Sequence, residues 1–375
     1  YNLQGGLFIT NKDEVDFSYK KIDAVYEYDT SAGSDGDTQK SYLNHYFKSG
    51  NYIHKEDSFN FKANIQQSKF DRTQGTFNAK SLVNEFSLTS NYIYAKDSNI
   101  TTGLNKQNFE DINSNNKYNT KAIFLSNSNK FNNLIFSQTI RYDNNSSFDE
   151  KATGKLGLKY EFDKDFSAST NYGTAYNAPT LSNLSITPTL EPESTRSYDI
   201  NLEYKGFEIT YFKTKIKNLI DYYDPDSWTG PIPGSYINTK GTSIIKGYEA
   251  SYKKDILKDL FLGLNYTHLN AKNSNNEDLA RRAKNLVNLS LDYYGIKKTH
   301  INLNGQYVGT RYNGEDKTGA QTGRYTLWNS VVNYDINKNL KTYLKVDNLF
   351  NKYYQTVDGY ATSPRAFYAG LKATF

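Results

Sequence analysis

The chain has 375 residues, 37% of them hydrophobic, with a mean hydropathy of -0.77 and a formal charge of +5. No window approaches the roughly 18 unbroken apolar residues of a membrane helix, which excludes a helical membrane protein. The absence of Cys rules out disulfides and thiolate metal sites, four His leave histidine chemistry little to draw on, and the lack of a basic run argues against nucleic-acid binding.

Strand-like runs recur from one end to the other. In chain order the clearest are Ser58–Phe70, Val83–Ala95, Leu156–Phe162, Tyr198–Tyr204, Leu260–Leu269, Val287–Tyr293, His300–Val308 and Leu327–Tyr334. Their connections alternate between short ones, such as Lys205-Gly206 and Gly295–Lys298, and long ones, such as Tyr176–Glu193, Asp221–Gly241, Asn270–Arg281 and Gly309–Gly323. Short turns at one rim and long loops at the other predict an all-β fold. The expected form is a transmembrane antiparallel β-barrel with periplasmic turns and extracellular loops. About 18 strands are expected, forming one domain over residues 1–375. An open sheet of that size would leave unpaired edges in lipid, so the chain alone is not expected to close stably.

The end of the chain carries the pattern most clearly. Phe367, Ala369, Leu371, Ala373 and Phe375 fall on one face of an extended strand, and Tyr368, Gly370, Lys372 and Thr374 on the other. Just upstream, Leu340, Leu344 and Val346 alternate with Lys341, Tyr343, Lys345 and Asp347, whose lysines are expected in the lumen. Thirty-four Tyr and 21 Phe suit aromatic girdles at both bilayer interfaces. The chain opens at Tyr1 and contains no Met, so we expect a fragment or a processed remainder with an intact C-terminus.

The segment from Leu344 through Asn348-Leu-Phe-Asn-Lys-Tyr353 to Tyr360, followed by Pro364-Arg365, resembles the C-terminal end of TonB-dependent outer-membrane receptors. Tyr172–Pro179 with Leu190-Glu-Pro-Glu193, and Asn218–Asp221 followed by Ile245–Glu249, match the same family in order. Gln355–Tyr360, Ala280–Lys284 and Val308–Tyr312 are similar to its vitamin B12 (cobalamin) receptor branch. The resemblance implies a 22-stranded barrel around an N-terminal plug and TonB box, with plug and first strands absent here. It also implies import of a bulky nutrient energised by TonB–ExbB–ExbD. A departure is Asp316, where the branch has a second tyrosine.

Several residues are nominated for binding. Tyr222, Tyr223, Trp228 and Tyr236 lie in a proline-restricted loop, where flat rings suit a bulky chelate and restriction lowers the ordering cost; girdle packing explains the same rings. The resemblance adds Arg281 and Tyr360, although Arg281 serves equally as a lumen arginine paired with a carboxylate of the plug. Asp29, Asp35 and Asp37 on a Gly-rich loop are candidate calcium ligands, and Asp221, Asp224 and Asp226 form a similar cluster.

No cofactor is required. No Ser/His/Asp spacing supports catalysis, so the chain is not expected to be an enzyme. The expectation is a monomeric outer-membrane receptor for cobalamin or a similar metal chelate, touching lipopolysaccharide through basic outer loops. The alternatives are a ferric-siderophore receptor, less so a haem receptor, and, in another class, a passive porin or adhesin.

Overall fold

A computed structural model describes residues 1–28, 39–75, 77–223 and 234–374. Its strands, in chain order, are β1 (Asn2–Phe8), β2 (Asp13–Glu27), β3 (Lys40–Lys55), β4 (Phe59–Gln74), β5 (Phe77–Ala95), β6 (Ser98–Asp111) and β7 (Asn116–Phe131). There follow β8 (Leu134–Asn145), β9 (Lys151–Glu161), β10 (Phe166–Asn177), the short helix α1 (Leu181–Ile186), β11 (Glu193–Tyr204) and β12 (Phe207–Lys217). The remainder are β13 (Ile220–Tyr223), β14 (Ser235–Asn238), β15 (Thr242–Leu257), β16 (Leu260–Lys272), β17 (Asn285–Tyr293), β18 (Thr299–Val308), β19 (Tyr325–Asp335), β20 (Leu340–Asp347) and β21 (Ala366–Ala373). No helix is long and apolar enough to cross a membrane.

Nineteen of these strands form one antiparallel sheet in which each pairs with its sequence neighbours, while β13 and β14 make a separate hairpin. The sheet has one strand more than the expected 18, and its first strand pairs with β2 from residue 2 onward. Among the described residues no ladder joins β1 to β21. An odd number of antiparallel strands makes these two edges run in the same sense, so direct closure would be a parallel pairing.

The two faces differ sharply. One rung reads Val15, Tyr52, Ala63, Leu88, Leu104, Ile123 and Tyr142 across seven strands. These are the residues lipid would meet, and Ile123 is 52% exposed. The adjacent rung on the opposite face is polar: Asn51 Nδ2 donates to Asp16 Oδ1 at 2.7 Å, and Asn64 Nδ2 donates to Asn51 Oδ1 at 2.8 Å. Period-two alternation thus puts apolar residues outside and a hydrogen-bonded lining inside. The predicted terminal pattern holds for the described residues: Phe367 and Leu371 are 68% and 72% exposed, and Lys345 faces the lumen beside Asp347. Phe375 lies outside them.

Turn chemistry fixes the short rim. Lys205 (φ 49°) and Gly206 (φ 85°) adopt the left-handed pair that a two-residue hairpin needs, and a Cβ on Gly206 would meet the Lys253 carbonyl. Asp163 Oδ1 accepts from the backbone N–H groups of Asp165 and Phe166, and Asn337 Oδ1 does the same for Asn339 and Leu340. The other rim carries the long loops 178–192, 218–241, 273–284, 309–324 and 348–365. In the N-terminal half that rim differs from the expected alternation: 75–76, 112–115 and 146–150 are short, and the long strands β4 to β7 themselves project instead.

Candidate vestibule at the long-loop rim

The projecting ends of β4 to β7 carry an aromatic inner wall. Register puts Ser68, Val83, Phe109 and Tyr118 on one inward rung and Phe70, Ser81 and Asp111 on the next. Phe109 and Tyr118 lie 4.7 Å apart between ring centroids, and Phe148 meets Tyr118 edge-on at 6.5 Å. Phe70 is met by His45, whose Nε2 lies 2.9 Å from Ser68 Oγ. Helix α1 closes the space from above, with Leu181 on the cleft. It forms because Thr180 and Asn183 cap each other across its first turn and Pro179 is buried beneath it. The cleft has a volume of about 570 Å³ and is lined mainly by apolar atoms. Below it the lining becomes polar: Glu85 accepts from Gln66, Asn105 and Gln107 at 2.7 to 2.8 Å. Reading the sequence did not nominate this cleft. Its rings come from four strands, and only register brings them together.

The C-terminal loops form a continuous hydrogen-bonded palisade. Glu191 in loop 178–192 accepts from Asn218 Nδ2, and Tyr236 N donates to Thr187 Oγ1 at 3.2 Å, which fixes the β13–β14 hairpin against α1. Ser274 Oγ donates to the Lys240 carbonyl, linking loop 273–284. Arg281 N donates to the Tyr312 carbonyl, linking loop 309–324, and Arg311 reaches the carbonyls of Gln355 and Thr356 in loop 348–365.

Asp278 sits where two of these loops meet, with Lys272, Lys284 and Lys317 at 3.2, 3.4 and 3.8 Å. Burial opposes its charge, but Lys272 and Lys284 outweigh that and hold the carboxyl below its ordinary range. Nearby Glu315 is pushed up, chiefly by burial and then by Asp221 and Glu277. Asp316 takes a positive φ of 44° and its N–H donates to the Asp278 carbonyl. The position that departs from the cobalamin branch thus ties two loops together through its backbone.

Tyr222 and Tyr236 face each other across the hairpin at 5.2 Å, and Tyr223 beside them is 55% exposed. Arg281 is exposed, and its Nε donates to Asn313 Oδ1 at 3.0 Å; the same oxygen accepts from Asp358 N at 3.4 Å. Asn313 therefore joins Arg281 to the turn that carries Tyr360, and among the described residues Arg281 has no carboxylate partner. Trp228, Asp29, Asp35, Asp37, Asp224 and Asp226 lie outside the described residues. Among the described residues no three His, Cys, Asp or Glu side chains converge as a metal site. His268 Nδ1 lies 2.9 Å from Asn285 Oδ1.

A family model described as "TonB dependent receptor-like, beta-barrel" matches residues 1–349. Among solved structures, a mutant ferric enterobactin receptor, PfeA, from Pseudomonas aeruginosa aligns with a TM-score of 0.81 at 16% identity, covering 100% of this chain and 69% of that one. The siderophore receptor PirA from Acinetobacter baumannii aligns with a TM-score of 0.79 at 15% identity, covering 100% and 70%. The copper transporter OprC aligns with a TM-score of 0.81 at 12% identity, covering 100% and 71%. At such identities the likeness concerns the fold.

Proposed function

The chain belongs to the TonB-dependent receptor-like β-barrel family, whose members sit in the outer membrane, and on that premise we propose that it is the wall and outer vestibule of a receptor that imports a bulky metal chelate. The family is one of transport receptors. Import would draw its energy from TonB–ExbB–ExbD acting on a plug domain, and the chelate would be of the siderophore kind.

The observation that carries this reading is the inward aromatic cleft of Phe70, Phe77, Phe109 and Tyr118, closed by α1 and opening at the long-loop rim. A concave, mostly apolar site with a few polar groups beneath suits a flat, aromatic-rich ligand. That the aligned structures include a ferric enterobactin receptor and a siderophore receptor agrees with this choice. Family membership favours a receptor over a porin or adhesin.

Cobalamin is the second reading. It is supported by Arg281 and the Tyr360 turn, which share Asn313.

Equilibrium binding to the full-length receptor in outer-membrane vesicles tests the proposal. Saturable binding of a ferric catecholate or other aromatic siderophore at nanomolar to micromolar concentration is expected. Binding of cyanocobalamin alone would transfer the assignment to the second reading, and binding of neither would overturn both. Repeating the titration with a calcium chelator tests the Asp29, Asp35 and Asp37 proposal: a calcium site there predicts lost affinity, and unchanged affinity removes it.

A further inference from the structure

The outward face of β11, β12 and β15 changes character abruptly near the long-loop rim. Register aligns Leu202, Ile209 and Ala250 on one outward rung, and Ile200, Tyr211 and Tyr248 on the next. Above these come Tyr198, Lys213 and Lys246, then Arg196, Lys215 and Ile244, then Ser194, Lys217 and Thr242. Five cations therefore occupy the same face as the lipid belt, immediately above its tyrosines. Tyr211 lies 6.1 Å from Tyr198 and 5.2 Å from Tyr248 between ring centroids, so the rings form a continuous girdle that reaches the lowest rung of the charges.

This arrangement costs the fold something. Arg196 stands directly opposite Lys215, and Lys213 directly opposite Lys246. Like charges at directly opposed positions of neighbouring strands destabilise a sheet. Among the described residues no carboxylate lies within ion-pair distance of any of the five. By contrast, the lysines around Asp278 share a carboxylate. A cleft of about 700 Å³ runs over the patch, lined by Arg196, Lys215 and Lys217 with the hydroxyl residues Thr174, Ser194 and Thr242. Neutralisation must come from outside the chain, at the height where headgroups begin. Successive outward residues are about 6.6 Å apart along a strand, so the lowest cations stand one such step above Tyr211 and Tyr248.

We propose that this patch binds the phosphorylated headgroup of an outer-leaflet glycolipid, with Arg196, Lys213, Lys215, Lys217 and Lys246 gripping the phosphates and the cleft hydroxyls donating to the sugar. The inference rests on the outer-membrane placement of the wall but not on the identity of the imported chelate. Charge complementarity and the girdle beneath select a lipid phosphate over a soluble anion.

The test uses the full-length receptor purified from outer membranes in native form and in a form with all five cations replaced by Gln. Native mass spectrometry counts bound bis-phosphorylated lipid A, with dephosphorylated lipid A and inorganic phosphate as further arms. The native protein is expected to retain the phosphorylated lipid roughly tenfold or more better than the Gln form. Dephosphorylated lipid should bind both forms equally and weakly, and millimolar inorganic phosphate should not displace the lipid. A form with the four lysines changed to Arg should bind as the native protein does. Equal retention by native and Gln forms, or by the two lipids, would overturn the proposal. Displacement by inorganic phosphate would overturn the assignment to a lipid source. Chelate binding measured on the same preparations should be unchanged, so failure of the patch and failure of the import reading are separable. If neither form is recovered as a folded barrel from the outer membrane, the placement itself falls and the patch with it.

Discussion

Replacing Leu202 by Arg is expected to abolish accumulation of the folded barrel. Leu202 faces outward between Ala168 and Ile209, in the middle of the apolar band. An arginine at that depth costs roughly 2–4 kcal/mol, a 30- to 1,000-fold shift in the folding equilibrium. Folded protein in the outer-membrane fraction, read as the heat-modifiable band on a gel, should fall to near background. The neighbouring substitution Asn201→Lys points inward, beside Glu208 and Thr210. It should cost under about 1 kcal/mol, because a lumen charge keeps water and gains a carboxylate. Equal damage from both would contradict the assignment of faces.

The second large effect concerns the cleft. Truncating Phe109 and Tyr118 together to Ala removes two rings that touch each other and face the lumen. Aromatic anchors of a binding pocket are worth about 2 kcal/mol each when truncated. The dissociation constant of the imported chelate should therefore rise by roughly 100-fold or more. The heat-modifiable band should be unchanged, since neither ring belongs to the lipid belt. A double variant that binds normally would place the ligand elsewhere, with Arg281 and the Tyr360 turn next in line. Tyr223 is exposed on the hairpin, and its removal should cost less than threefold.

Much of the wall could be read from the chain alone. Strand periodicity is a local property, and the alternation at Leu340–Asp347 and Ala366–Ala373 reappears in the register, lysines inward and leucines outward. The short turns were legible because residue chemistry decides them locally, as at Lys205-Gly206. The strand ends were less so: β5 begins at Phe77 rather than Val83, since residues 77–82 pair with β4 outside the apolar band and carry no lipid-facing signal.

The site was less legible than the wall. Tyr222 and Tyr236 could be nominated because they share one loop, and Arg281 and Tyr360 through family resemblance. The aromatic cleft could not, since Phe70, Val83, Phe109 and Tyr118 are scattered over about 50 positions and converge only through cross-strand register. Helix α1 escaped notice because six residues are too few for a helical stripe, and its Thr180 cap is visible only once the loop is folded. The basic patch was hidden for the same reason. Arg196 and Lys246 lie 50 residues apart and become near neighbours only when β11, β12 and β15 pair.

The most direct test of the import reading is energised uptake by cells that express the full-length receptor. Radiolabelled ferric siderophores and cobalamin would be offered with and without a protonophore that collapses the inner-membrane gradient. Saturable accumulation of at least one bulky chelate is expected, stopping when the gradient is collapsed, while binding at the cell surface persists. Accumulation that continues without the gradient, or equally rapid entry of unrelated small solutes, would contradict the import reading and identify the barrel as a passive pore.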